Sequence, residues 1–235
     1  MIKSDIRMEV LVRTGKDTTS AWSSATIINA QIDQAHKWAA GYKKWPFTEG
    51  RVSTTFASLT TNEDGDYRGE YPEGWKSDSV RILTVGGYRL QKLNFEDFKI
   101  FREEQSGSSD RVFTDFSRSY YINPSIDVSG TVTAWGQYTP ANLDDESSSD
   151  HTVFIGEDEG NQAIIEETMG YVLRRDGKQK EAIERHQIAQ GLLDQLWQRI
   201  GDEQYAYQSK DRGIFERIDV VNGSFYDDTL DTDQF

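Results

Sequence analysis

Three histidines, His36, His151 and His186, are the side chains best suited to proton transfer near neutral pH, and they lie far apart in the 235-residue chain. None has the His-x-x-x-His spacing that sets two imidazoles on one helix face for a metal. His36 and His186 fall in helical patterns beside polar neighbours, which predicts solvated or capping histidines rather than ligands. No Gly-x-Ser-x-Gly elbow offers a serine nucleophile. The absence of cysteine removes thiolate nucleophiles, thiolate ligands and disulfides together. Asn62-Glu63-Asp64-Gly65-Asp66 alternates oxygen ligands as a calcium loop does, but its glycine stands fourth rather than sixth, so it reads as a solvated turn. Gly86-Gly87 lacks the Lys-Ser/Thr of a phosphate loop. These residues give no catalytic set, no metal site and no cofactor site, and the chain is not expected to be an enzyme.

Six tryptophans are the remaining chemically distinctive side chains. Trp38, Trp45 and Trp197 sit on helix faces or at helix ends, where core packing accounts for them. Trp75 and Trp135 are less constrained, and together they would suit sugar stacking on a β-sandwich surface.

The net charge of −14, from 26 Lys and Arg against 40 Asp and Glu, disfavours gripping DNA or an anionic membrane, because no basic run is present to displace counterions. The same acidity suits a surface that DNA slides past. Met1 to Ser20 has no uninterrupted apolar region of the signal-peptide kind, and no stretch reaches the roughly 18 apolar residues of a membrane span, so synthesis in a cytoplasm and no membrane partner are expected. Counted with Gly and without Tyr, apolar residues are about 40% of the chain, below the roughly 45–50% of globular averages, which predicts that part of it lacks its own core.

The elements that must position these residues divide the chain. Asp5 to Val12 suits a short helix ending near Gly15, and Thr26 to Lys44 suits a longer one with Ile28, Ile32, Ala35 and Ala39 on one face, stopped by Pro46. From Arg51 to Pro140 the pattern turns strand-like. Val52, Thr54 and Phe56 alternate, and Val80–Val85, Gly86-Gly87 and Tyr88–Leu93 form a hairpin pairing Val85 with Tyr88 and Leu83 with Leu90, four apolar side chains on one face. Asn94 caps a short helix through Phe95, Phe98 and Phe101, ended by Ser106–Asp110. Strands follow at Ser119–Asn123 and Gly130–Tyr138. Ala141 to Glu159 carries seven acids and no Lys or Arg, which marks an exposed linker. Helical periodicity resumes at Ile165, Met169 and Val172, pauses at Asp176-Gly177 and continues through Ala182, Ala189, Leu193, Leu196 and Ile200, as a helical hairpin or one interrupted helix.

The expected fold class is therefore α+β. Residues 1–48 and 156–200 form a helical bundle, 49–140 an inserted antiparallel β-sandwich or barrel-like domain, 141–155 an acidic linker, and 201–235 an extended C-terminal tail. The tail scatters Ile214, Phe215, Ile218, Phe225, Tyr226 and Phe235 through polar sequence, so these residues are expected to meet a neighbouring molecule.

The order of several short motifs resembles the head-to-tail adaptor (connector) proteins of tailed bacteriophages. They are Ile27-Ile28-Asn29-Ala30, Trp45-Pro46-Phe47, a strand-rich insertion, Ile122-Asn123-Pro124, Gly136-Gln137-Tyr138-Thr139-Pro140 with Leu143, and Gly156-Glu157-Asp158-Glu159 leading into Ile164-Ile165. The likeness spans about Asp5 to Ile200, and the tail after Gly201 departs from it. It implies a structural virion protein of the head–tail neck, a dodecameric ring binding the portal on one side and tail proteins on the other, with DNA passing through unbound. On that reading Asp144, Asp145, Glu146, Glu157, Asp158 and Glu159 face the channel and repel DNA, or else keep an outer loop soluble. The competing reading is a β-sandwich glycan-binding module of a virion or cell surface centred on Trp75 and Trp135.

Overall fold

The structure is a computed structural model that describes residues 1–16, 25–105, 107–145 and 147–210, with side chains for all of these but Ala25 and residues 202–210. It is mixed α+β, with five α-helices and two sheets among the described residues.

Helix α1 (Lys3–Thr14) ends on Gly15, whose φ of 63° lets its N–H and that of Lys16 fold back onto Val12 and Leu11 carbonyls. Helix α2 (Ala25–Tyr42) carries the apolar stripe read from the sequence: Ile28, Ile32, Ala35 and Ala39 are buried. After the insertion, α4 (Asp158–Arg175) and α5 (Gln179–Lys210) form the helical hairpin, turning at Gly177 with φ 79°. Helix α4 is central. Nearly every residue from Gly160 to Leu173 is buried, because α1, α2 and α5 all pack on it. Residues from both chain halves, among them Ile6, Val10, Ile32, Trp45, Leu143, Phe154, Ile164, Ile165, Met169 and Leu193, form one core. Each large aliphatic buried there contributes about 1.5–3 kcal/mol.

The insertion builds a second core from two sheets. The first has the order β1-β9-β4-β5, with β1 (Glu49–Thr55), β4 (Ile82–Val85), β5 (Tyr88–Arg89) and β9 (Thr131–Gln137) all antiparallel. The second is β2-β3-β8-β7-β6, with β2 (Thr60–Thr61), β3 (Tyr67–Glu70), β6 (Gln91–Lys92), β7 (Val112–Phe116) and β8 (Ser119–Ile122). The β6–β7 pair is parallel, and α3 (Phe95–Glu104) is the crossover between them. Both sheets keep free edges, so the barrel-like alternative is not what forms.

The glycine hairpin is present, with φ of 57° at Gly86 and 86° at Gly87 and Val85 opposite Tyr88. One side chain departs from expectation: Tyr88 is 53% exposed, and Arg111 lies 4.2 Å over its ring. The second hairpin arm is short because the chain changes sheets at Leu90, whose N–H donates to Leu83 O while that of Gln91 donates to Arg111 O. The cap on α3 is as expected, Asn94 accepting from Asp97 N, but only Phe98 of its three rings is fully buried. The Asn62–Asp66 turn is also less solvated than expected. Asp66 is 1% exposed and accepts from Arg102 Nε at 2.7 Å.

The segment expected to be an extended tail begins as helix, since α5 continues to Lys210. The expected interface residues Ile214, Phe215, Ile218, Phe225, Tyr226 and Phe235 lie outside the described residues, as does Glu146.

Candidate functional site

The acidic stretch that leads from β9 into α4 is bound to the helical core rather than hanging free. Lys3, 2% exposed, donates to Asp33 Oδ2 at 2.8 Å, Leu143 O at 2.9 Å and Asp145 Oδ1 at 2.6 Å. Those three acceptors satisfy all three donors of a buried ammonium. Burial by itself would lower the Lys3 pKa, but the bonds to Asp145 and Asp33 hold it above the ordinary lysine value. Asp33 also accepts from Leu143 N at 3.0 Å. The hydrogen bond from Lys3 keeps the Asp145 carboxyl below the usual aspartate range.

The second half of the stretch is held by His36 and Asn161. Val153 N donates to His36 Nε2 at 3.0 Å, so that nitrogen is an acceptor and the ring is neutral. The ring is 1% exposed, its Nδ1 is buried without a hydrogen-bond partner, and burial pushes its pKa down to about 4. His36 is therefore a core acceptor, not the solvated or capping histidine expected. Asn161 accepts from Thr152 Oγ1 at 2.6 Å and donates to the carbonyls of Phe154 and Glu157, both at 2.9 Å. Phe154 is fully buried against Trp45 and Phe47.

The acids expected to act together sit in two groups. Asp144 and Asp145 lie at the Lys3 end, where both are exposed and Asp145 is paired with Lys3. Glu157 and Glu159 lie at the start of α4 and both pair with Arg199 of α5, Glu159 at 3.0 Å. Asp158 is exposed between them. At the α4 N-terminus carboxylates also complement the helix dipole.

Elsewhere in the helical layer, Glu166 is clamped between Arg13 at 3.0 Å and Arg185 at 2.9 Å, and Glu167 meets His186 Nδ1 at 2.7 Å with the Trp38 ring 5.2 Å from the imidazole. These pairs join α1, α4 and α5. Among the described residues no group of three or more His, Asp or Glu is placed to hold a metal ion, and no helix is long and apolar enough to cross a membrane.

The two tryptophans weighed for sugar stacking differ. Trp75 is 7% exposed and lies against Gly136 and Gly50; a Cβ at 136 would come within 2.6 Å of its ring. Trp135 is half-buried beneath the Arg51 guanidinium, 5.6 Å from the ring. One of the pair is thus core.

Sequence reasoning missed His36 and Lys3. His36 was findable, since it follows Ile32 by four residues on the apolar stripe of α2. Lys3 gave no such signal, because its partners lie 30 and 142 residues away. No protein-family model matches the chain, and no curated protein matches its sequence.

Proposed function

We propose that this chain is a structural virion protein, a ring-forming head-to-tail adaptor that joins a portal to a tail and lets DNA pass. The observation that carries the reading is the division of the chain between two cores. Among the described residues, those before 49 and after 140 build one core around α4, and the strand-rich segment between them builds its own. The finer architecture belongs to the same proposal: a helical bundle with an inserted β-sandwich, each presenting a different end to the parts above and below. A wholly non-enzymatic role agrees with titratable groups that are spent on holding helices together, such as Lys3, Glu166 and His36.

In the ring, Asp144, Asp145 and Asp158 line the channel with Glu157 and Glu159 beside them. Their repulsion of DNA is moderated by Lys3 and Arg199, giving a weakly anionic wall rather than a dense acidic one. The tail residues from Ile214 onward dock in trans on a portal or neighbouring copy. The glycan reading has less support, because Trp75 is buried.

Immunogold labelling of the native virion tests the assignment. Gold confined to the head–tail junction is expected. Label on fibres, on the capsid faces, or absent from intact and disrupted particles would exclude it.

A further inference from the structure

The two sheets end in four edge strands, and three of these, β2, β5 and β6, are only two residues long. The fourth, β1, has seven residues in unbroken register with β9. Very short edges resist pairing with another chain, whereas a long one of Val, Ser and Thr without Pro, Lys or a bulge invites it. The register shows which groups are open. Thr48 O accepts from Tyr138 N and Gly130 O from Phe56 N, so by alternation Gly50, Val52 and Thr54 turn their backbone groups to β9. Those of Arg51 and Ser53 point away from β9 and have no backbone partner among the described residues. Both side chains are exposed, and Arg51 lies over the Trp135 ring with no carboxylate partner among the described residues.

The sequence beyond α5 supplies a matching strand. The run Arg217-Ile218-Asp219-Val220-Val221 alternates charged and apolar side chains and is closed by Asn222-Gly223, a turn pair. Helix α5 carries the chain to Lys210, about 15 Å of helix past Ile200, its last described side chain packed on the helical core. The tail sets out from the helical layer and the open edge belongs to the β layer, so one copy offers the two unlike surfaces that a closed ring needs.

We propose that residues 217–221 of one copy add as a strand to the β1 edge of the next, with Asp219 opposite Arg51; this names the surface for the trans docking of the tail and rests on the ring reading above. Backbone bonds to Arg51 and Ser53 hold the strand, and side chains set its register. With Asp219 at Arg51, Ile218 and Val220 fall on the face of Gly50 and Val52, where the Trp75 ring lies against Gly50. Arg217 then stands opposite Glu49 or Ser53 according to strand direction, and Glu216 opposite Thr48 or Thr54, so no like charges face each other. A slip of two residues sets Asp219 against Glu49 or leaves Arg51 with no acid opposite.

Two full-length variants separate the halves of the contact. Ser53→Pro blocks the edge at an N–H that bonds nothing within its own copy, and Ile218→Pro blocks the added strand. Neither should self-associate, and an equimolar mixture should give a 1:1 complex in sedimentation velocity, with the Arg51 and Ser53 amides of the Ile218→Pro chain newly protected from hydrogen exchange. A synthetic peptide of residues 211–224 should protect the same two amides, a readout that needs no Ser53→Pro chain. Asp219→Arg in the tail donor should weaken the complex and Arg51→Asp in the acceptor should restore it; failure to restore would overturn the register. Protection of these amides in monomeric wild-type chain would mean that the tail folds back on its own β1, and would overturn the contact between copies. Assemblies that persist in either variant alone would overturn it too and leave the ring reading standing. A mixture that forms no complex rejects the contact. A complex from the mixture beside wild-type chains that never close into a ring would keep the strand addition and sink the ring reading.

Discussion

Lys3 donates to Asp145 at 2.6 Å across 142 residues of chain, and so ties the first helix to the chain that returns from the β-rich insertion. Its ammonium also holds Asp33 and the Leu143 carbonyl, which ties α1, α2 and the returning chain to one point. Replacing it with Met leaves the Asp33 carboxylate, only 13% exposed, without its cation. Lys3→Met should therefore cost about 3 kcal/mol in urea unfolding, in the range for breaking a buried pair. A loss within error of zero would show that the tie is dispensable.

His36 makes the same layer sensitive to acid. Its folded pKa of about 4 lies below the unfolded value of 6.5, so the unfolded chain takes up the proton first as pH falls. The stabilisation is full above pH 6.5, declines between 6.5 and 4, and amounts to about 3 kcal/mol over that window. Replacing His36 with Gln, which keeps an acceptor for Val153 N, should flatten the pH dependence of stability between those limits. Equal slopes for the two proteins would contradict the assignment of a neutral buried ring.

In the second sheet, Gly69 stands opposite Tyr120 in the β3–β8 register, and the tyrosine ring covers it. A Cβ at 69 would lie 2.0 Å from the ring, and Tyr120 is 2% exposed with no free side to move into. Gly69→Ala should destabilise the protein by about 2 kcal/mol through overpacking. Tyr120→Leu in the same chain should recover part of that loss, and strict additivity of the two substitutions would rule out the contact.

Asp66 offers a separate check on the β-rich region. It is buried beneath Arg102, which also reaches Asn123 Oδ1 at 3.3 Å. Asp66→Asn removes the charge and leaves the guanidinium half-paired, so thermal unfolding should begin at least as early as in Gly69→Ala. An unchanged melting midpoint would mean that the pair is solvent-screened in practice.

The elements legible in the sequence were those with strong local chemistry. The Gly86-Gly87 turn, the Asn94 cap, the Gly15 stop and the apolar stripe of α2 each act within a few residues. Strand β7 was not legible, because its turn to β8 is made by Ser117 and Arg118 at φ 49° and 64°, residues that do not advertise a left-handed backbone. Strand β3 was hidden by Gly69, which reads as a strand breaker until Tyr120 is seen to cover it. The acidic stretch misled for a different reason: composition reports charge but not its partners, and Lys3 and Arg199 are supplied from either end of the chain. Helix α5 ran past Gly201 because a single glycine weakens a helix without ending it.

The central claim is that copies of this chain form a ring around the path of DNA at a head–tail junction. Electron-microscopic reconstruction of the neck of the native virion tests it most directly. The account predicts density for this chain in a closed ring, twelvefold by resemblance, with an open channel on the axis. A neck that lacks the chain, or a single copy placed away from the DNA path, would contradict it.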